Sequence, residues 1–170
     1  IDTSSRKKVL LRGPVLTQSG YGVHSRQIAR WLLSKHNIDL DVQPLPWGDT
    51  PWLLDRNLYN GLVGNLIDRS VEVRDKKYDI TVQIQLPNEW DPNLGLKNIG
   101  ITAAIETDFC NPEWTDACNK MDMVVVPSQH AYKSLSYLNN LRTKIVVIPE
   151  SYSESIPEVG TSTNLSLDFS

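Results

Sequence analysis

Six short apolar segments recur along the 170-residue chain, and helix-like segments separate most of them. Each has the length of a strand and ends near a turn, a proline or a polar residue; the six span residues 8–12, 38–42, 79–86, 99–105, 123–126 and 144–148. Strands that alternate with helices pair in parallel, because the crossover carries the chain back to the same end of the sheet. The pattern predicts an α/β, Rossmann-like, doubly wound fold: a mostly parallel sheet of about six or seven strands with helices on both faces.

The first predicted strand leads into a glycine-rich turn, Ser19-Gly20-Tyr21-Gly22, and then into a helical pattern. Backbone N–H groups and the positive end of a helix meet at such a turn, which makes it a candidate anion site. A tight turn that needs glycine backbone angles explains the same residues equally well. The dinucleotide-binding fingerprint is incomplete, since Ser25 holds the position of its third glycine, and the chain contains no P-loop.

The helix that follows has one apolar face, and its polar residues are predicted to lie mostly off that face. The apolar residues are Ile28, Ala29, Leu32 and Leu33, and the polar ones are Ser25, Arg26, Gln27 and Arg30. His24 falls in the first turn, where the helix dipole disfavours its protonation. It is a candidate neutral donor to a phosphate or hydroxyl, or an exposed bystander.

Ligands of parallel sheets bind at the carboxyl ends of the strands, so polar residues there form the candidate site. Beyond the turn and His24, the sequence places these candidates at that edge: Glu89, Trp90, Glu106, Asp108, Ser128, His130 and Glu150. Glu106 is the candidate catalytic group, as a base or as an acceptor for a sugar hydroxyl, and Asp108 is a second acceptor, although loop capping explains both. Trp90 is suited to stack on a sugar beside Glu89, or to shield the end of the sheet. Ser128 fits a helix cap better than a nucleophile, because no GxSxG surrounds it.

Composition excludes several classes of protein. A net charge of -3 and no basic stripe argue against nucleic-acid binding. Cys110 and Cys118 lack CxxC spacing and a nearby histidine, so they are predicted to be reduced thiols rather than metal ligands or a disulfide. No apolar run reaches spanning length and no leader is evident, so the sequence predicts a cytoplasmic protein.

Taken in order, five segments of this chain resemble the N-terminal half of retaining GT-B glycosyltransferases of the large family 4 type. The segments lie at residues 9–30, 78–90, 99–108, 121–130 and 144–150, so the resemblance extends over most of the chain, roughly from Val9 to Glu150. The resemblance implies two Rossmann-like domains that face each other across a cleft. It assigns Gly20, Tyr21 and Gly22 to the loop that approaches the diphosphate of a nucleotide-sugar donor. Many members carry a histidine where this chain ends a strand at Glu106. No metal or other cofactor is implied.

The domain organisation predicted from the sequence is a Rossmann-like, acceptor-side domain over residues 1–152, followed by a linker and the start of a second domain over residues 153–170. Pro157, Gly160 and several serines and threonines mark the linker. The expected function is therefore the acceptor-binding half of a glycosyltransferase, inactive or very weak without its C-terminal domain. Its acceptor would be a glycan, a lipid or a small molecule.

Two alternatives stay open: a non-catalytic α/β module that binds a small anion or a carbohydrate, and a complete small Rossmann-like enzyme. The incomplete glycine fingerprint and the absence of a catalytic triad make the enzyme the least favoured. Tryptophans near the predicted cleft also suggest self-association through exposed apolar area; they are Trp47, Trp52, Trp90 and Trp114.

Overall fold

A computed structural model describes residues 6–73, 77–104 and 110–151 of the chain. The strands are β1 (Lys7–Gly13), β2 (Ile38–Pro44), β3 (Tyr78–Ile84), β4 (Gly95–Ile101), β5 (Met123–Val126) and β6 (Lys144–Val147). The helices are α1 (Gly20–Leu33), α2 (Leu58–Asp68), α3 (Trp114–Asn119) and α4 (Gln129–Ser136), with a short 3-10 helix over Pro87–Glu89. The predicted linker over residues 153–170 lies outside the described residues.

All six strands form one parallel sheet in the order β2-β1-β3-β4-β5-β6. This arrangement confirms the predicted α/β fold with a parallel sheet. From β1 the chain moves first to β2 on one side and later to β3 on the other side. The connections therefore change direction at β1, and the carboxyl ends of β1 and β3 flank the crevice where sheets of this kind bind ligands.

Helices cover both faces of the sheet, as the alternation of buried residues shows. Val125 on β5 belongs to an apolar cluster that also contains residues of α1 and α2. Its neighbours Val124 and Val126 point to the opposite face and belong to a second cluster with α3 and α4. The sheet with helices on each face gives the three layers of the doubly wound fold, and the period-two alternation of the strands supplies apolar side chains to both faces.

Two elements differ from the pattern of apolar residues. Strand β4 begins at Gly95 rather than at residue 99. Its first residues are exposed or polar, so the apolar pattern does not mark them, but their backbone pairs with β3 from Tyr78↔Gly95 onwards. Helix α2, which the sequence left ambiguous, begins with a left-handed turn in which Tyr59, Asn60 and Gly61 have φ values of 53°, 58° and 82°. Such angles are unusual for a bulky side chain such as tyrosine. Within the ranges given above, no helix is long and apolar enough to cross a membrane.

Candidate functional site

The turn before α1 is built by hydroxyl groups that satisfy one another. Ser19 caps the helix, since its Oγ accepts a hydrogen bond from the Gly22 amide at 2.9 Å. The Thr17 hydroxyl lies 2.8 Å from the Ser19 hydroxyl and donates to the Pro14 carbonyl at 3.0 Å. The amides of Gly20 and Tyr21 have no acceptor among the described residues. Two free N–H groups at the positive end of a helix are the elements of an anion site.

The two glycines of this turn have different structural roles. A Cβ on Gly22 would lie 2.3 Å from the Thr17 carbonyl oxygen, so only glycine lets the helix pass this close to the preceding chain. A Cβ on Gly20 would meet nothing within 4 Å. Neither residue has a positive φ. The interpretation that this turn needs glycine backbone angles is therefore wrong; close packing explains Gly22, and packing explains nothing at exposed Gly20.

The Tyr21 side chain contacts residues that follow two other strands, β2 and β4. Its ring stacks on Trp47, which follows β2, with centroids 4.1 Å apart. Its hydroxyl accepts a hydrogen bond from the Ala103 amide at 3.0 Å and lies 3.2 Å from the Thr102 hydroxyl, just after β4. Burial raises the pKa of this phenol, which stays neutral at pH 7. The side chain of Tyr21 is thus an anchor, and only its backbone amide is free to meet a ligand.

His24 and Glu150 join the first turn of α1 to the chain that follows β6. His24 Nδ1 lies 3.0 Å from Glu150 Oε1, and the histidine side chain is only 12% exposed. Burial lowers the pKa of His24, although Glu150 opposes that shift, so the imidazole is neutral at pH 7 and donates from Nδ1. One turn further along α1, Gln27 Nε2 donates to the Ser151 carbonyl at 2.6 Å. The interpretation of His24 as an exposed bystander is therefore wrong.

Acidification should destabilise the wild-type chain partly through His24. A histidine whose folded-state pKa lies below its unfolded value of about 6.5 stabilises the fold above that pH, and this stability is lost as the pH falls through the folded pKa. Between pH 7.5 and 5.0 we expect the melting temperature of a His24→Gln variant to fall less than that of the wild type. His36 is exposed, so His36→Gln is the matched control and should behave as the wild type. An equal fall in the wild type and in His24→Gln would contradict this role.

A partly buried polar cluster lies on the sheet face opposite α1, and the sequence did not predict it. Arg12 Nε donates to Gln43 at 3.0 Å, and Arg12 Nη1 donates to Gln85 and, at 2.8 Å, to the Glu89 carbonyl. The Gln83 amide exchanges two hydrogen bonds with the backbone of Asp91, at 2.6 and 2.8 Å. These side chains hold the loop between β3 and β4 against the sheet. Between these two strands the chain forms a short 3-10 helix and no α-helix.

Glu89 and Trp90 lie in that loop, and both have structural partners. Glu89 Oε2 accepts a hydrogen bond from the Leu86 amide at 3.1 Å and closes the 3-10 helix. Trp90 is only 8% exposed. Its ring covers Gly100, where a Cβ would lie 2.6 Å from it. This burial favours the shielding role of Trp90 over the sugar-stacking role, whereas the exposed carboxylate of Glu89 stays a candidate.

The remaining predicted site residues follow β4, β5 and β6. Ser128 Oγ accepts a hydrogen bond from the Ala131 amide at 3.1 Å, which confirms Ser128 as a helix cap. His130 is exposed on the first turn of α4. Glu106 and Asp108 lie outside the described residues, so their roles stay predictions. The structure therefore brings together Gly20, Tyr21, Gly22, His24 and Glu150, while Ser128 and His130 belong to a separate helix start.

Arg26 on α1 is a buried residue with a structural role, which the helical pattern did not predict. It is 6% exposed, and its Nη1 donates to the carbonyls of Val15 and Thr17 at 3.0 and 2.9 Å. Ser25 is also buried, so the prediction that these polar residues lie off the buried face is wrong for both. The cause is the loop before α1, which folds over the helix and covers a face that the amphipathic pattern assigns to solvent. The guanidinium of Arg26 in turn lies 5.0 Å from the centroid of the Tyr59 ring.

Two of the four tryptophans expected to contribute exposed apolar area do not. Trp90 and Trp114 are 8% and 6% exposed, so that part of the prediction is wrong, whereas Trp52 is 42% exposed. Self-association stays a prediction that depends on Trp47 and Trp52. Cys110 and Cys118 are buried and free, as expected. No group of three potential metal-binding side chains lies together in the part of the chain that the structure describes.

Comparisons of this chain with protein-family models, with curated proteins and with solved structures found no match. The α/β fold with its parallel sheet is therefore the class that the structure itself defines. The resemblance to a glycosyltransferase domain stays a prediction from the sequence.

Proposed function

We propose that this chain is the acceptor-binding half of a glycosyltransferase, and that the turn over residues 19–22 receives the diphosphate of a nucleotide-sugar donor. The observation that carries the proposal is the pair of free amides, of Gly20 and Tyr21, at the positive end of α1. They lie beside the point where the sheet connections change direction, which is where doubly wound sheets bind ligands. The open space around Gly20 supports the same function, because a ligand can approach the backbone there.

In this proposal the turn acts through its backbone. When the sugar leaves the donor, negative charge develops on the diphosphate, and preorganised N–H groups stabilise it without reorganisation. Tyr21 keeps its amide in place because its ring and hydroxyl are fixed by Trp47 and Ala103. His24 is neutral and lies beside the Glu150 carboxylate, so neither side chain adds a positive charge, and the backbone N–H groups supply the attraction for the diphosphate. The half-site lacks the donor contacts of a second domain, so weak binding by this chain alone is expected.

The test uses a substitution that removes one amide proton and keeps the helix. Proline is tolerated at the first position of a helix, so Gly20→Pro deletes the N–H of Gly20 with little distortion. Gly20→Ala is the matched control, because it keeps the N–H and its Cβ meets nothing. Pyrophosphate and UDP-glucose are titrated into labelled protein while the amide resonances are followed by NMR. We expect shifts at Gly20, Tyr21 and Gly22, and about tenfold weaker binding in Gly20→Pro, as for one charge-assisted hydrogen bond.

Three results would contradict parts of this proposal. Unchanged resonances at the turn would remove its anion-binding role. Turnover or tight binding of a nucleotide sugar by this chain alone would contradict the half-enzyme. If pyrophosphate and UDP-glucose bind at the turn with equal affinity, the result favours the alternative, a non-catalytic module for a small anion. That alternative rests on the same free amides but needs neither a sugar nor a second domain.

A further inference from the structure

The outward side of α1 is bordered by two cavities, and together they form a continuous surface, here called the α1 surface. One cavity of about 350 Å³ lies towards α2, beside Arg30 and Tyr59. The other, of about 400 Å³, lies towards the sheet, beside Ile28 and Ile99. Gln27, Trp31 and Ser151 line both cavities. Trp31, in the middle, is 57% exposed, which leaves a large aromatic ring between two concave regions.

The cavity on the sheet side is apolar because no described helix covers this part of the sheet. Its floor is formed by side chains of β3, β4 and β5, including Val82, Ile101 and Met123. Ile148, the residue after β6, borders this cavity and is 52% exposed. Val82 and Ile101 are themselves buried, so the large exposed apolar side chains at this cavity are those of Trp31 and Ile148. Exposed apolar residues that lie together mark a candidate binding surface.

Helix α1 gives the α1 surface one exposed positive charge, Arg30, whereas Glu150 brings a carboxylate to its sheet side. Helix α1 contains Arg26 and Arg30 but no aspartate or glutamate. Arg30 is exposed, and Lys35 continues the basic character just beyond the helix, with its Nζ 4.9 Å from the centroid of the Trp31 ring. The occupant that such a surface favours is an extended segment with apolar side chains and acidic charge.

The part of the chain that follows β6 contains such a segment and begins at the α1 surface. Gln27 Nε2 donates to the Ser151 carbonyl at 2.6 Å, so Ser151 lies at the boundary between the two cavities. Gln27 Oε1 is buried and has no hydrogen-bond partner among the described residues, and a buried amide oxygen favours a donor such as a backbone amide. The 19 residues after Ser151 contain Glu154, Glu158 and Asp168 and no lysine or arginine. The first eight also contain Tyr152, Ile156 and Val159.

We propose that residues 152–159 bind along the α1 surface, with apolar side chains in the two cavities and acidic side chains beside Arg30 and Lys35. The length suffices: from Gln27 to Lys35 is eight helical positions, or about 12 Å along the axis, which about four extended residues span. This binding supplies Gln27 Oε1 with a donor. It would also fix the direction in which the chain leaves the sheet, whatever ligand the turn over residues 19–22 receives.

The test is cleavage by a glutamate-specific protease, because the segment carries two sites, at Glu154 and Glu158. The rate of cleavage follows the population of the unbound segment when binding is fast. We expect cleavage at Glu158 to be about tenfold slower in the intact chain than in a free peptide of residues 148–164, and to become faster as salt rises. Trp31→Ala combined with Arg30→Glu should bring the rate to that of the peptide. Adding Glu154→Lys to the Arg30→Glu variant should restore slow cleavage at Glu158.

The control combines Trp52→Ala with Arg142→Glu, two exposed residues away from the α1 surface, and should cleave as the wild type. Equal rates for the intact wild-type chain and the free peptide would overturn the proposal without any variant. If sedimentation shows a dimer that Trp31→Ala and Arg30→Glu abolish, the occupant is a second copy and the proposal is wrong. Neither outcome depends on anion binding at residues 19–22, so this inference and the proposed function fail separately.

Discussion

Gly22→Ala should lower the stability of the fold by about 3 kcal/mol, which in a chain of this size lowers the melting temperature by about 6–12 °C. The added Cβ would lie 2.3 Å from the Thr17 carbonyl oxygen, 2.9 Å from the Thr17 hydroxyl and 3.0 Å from the Pro14 carbonyl oxygen. Two of these three atoms belong to the backbone, so no rotation of a flexible side chain relieves the contact. Thermal unfolding followed by circular dichroism is the measurement.

Gly20→Ala is the matched control for that loss of stability. It makes the same chemical change two residues earlier, where the Cβ enters open space. We expect the stability to change by less than about 1 kcal/mol, since alanine is also the better helix former. If both variants lost stability equally, a general need for glycine in the turn would explain the result, and the close approach at Gly22 would not.

Trp90→Ala is the second substitution with a large expected effect, about 3–5 kcal/mol in the free energy of unfolding. The Trp90 ring is buried and lies flat against Gly100, so its removal leaves a cavity over β4 and frees the loop between β3 and β4. Chemical denaturation followed by circular dichroism measures the loss. Trp90→Phe should cost much less, because it keeps an aromatic ring and removes an indole N–H that has no partner in the part of the chain that the structure describes.

Trp52→Ala is the matched control for Trp90, because the Trp52 side chain is 42% exposed. Its loss should cost less than about 1 kcal/mol. If Trp90→Ala were as mild as Trp52→Ala, the loop would not depend on the Trp90 ring. In that case the polar contacts from Arg12 and Gln83 alone would hold it.

The sheet could be predicted from the sequence because its apolar face has a strong local signal. Ile80, Val82 and Ile84 alternate with polar residues, and that period of two defines β3 without reference to the rest of the fold. The polar half of the same alternation was harder to interpret. Thr81, Gln83 and Gln85 have the pattern of a solvent face, yet all three are buried. A parallel sheet needs cover on both faces, which was the available indication that these amides have partners.

The candidate site could be predicted in place but not in detail. Apolar strands, a cap and glycines locate the turn before α1, whereas the role of each glycine depends on which atoms of residues 14–17 pass beside it. The contact between His24 and Glu150 joins residues 126 positions apart, and no local pattern reports such a pair. For the same reason the amphipathic pattern misplaced Arg26, whose partners are carbonyls of the preceding loop.

The loop between β3 and β4 has a consequence for the order of folding. Its carbonyls at Glu89, Asp91 and Pro92 are held by side chains from three different strands: Arg12 on β1, Gln83 on β3 and Asn98 on β4. These donors stand side by side only after strands far apart in sequence have paired, and such long-range pairing is the slow part of forming a sheet. We therefore expect the contacts that hold this loop against the sheet to form late in folding, after β1, β3 and β4 have paired.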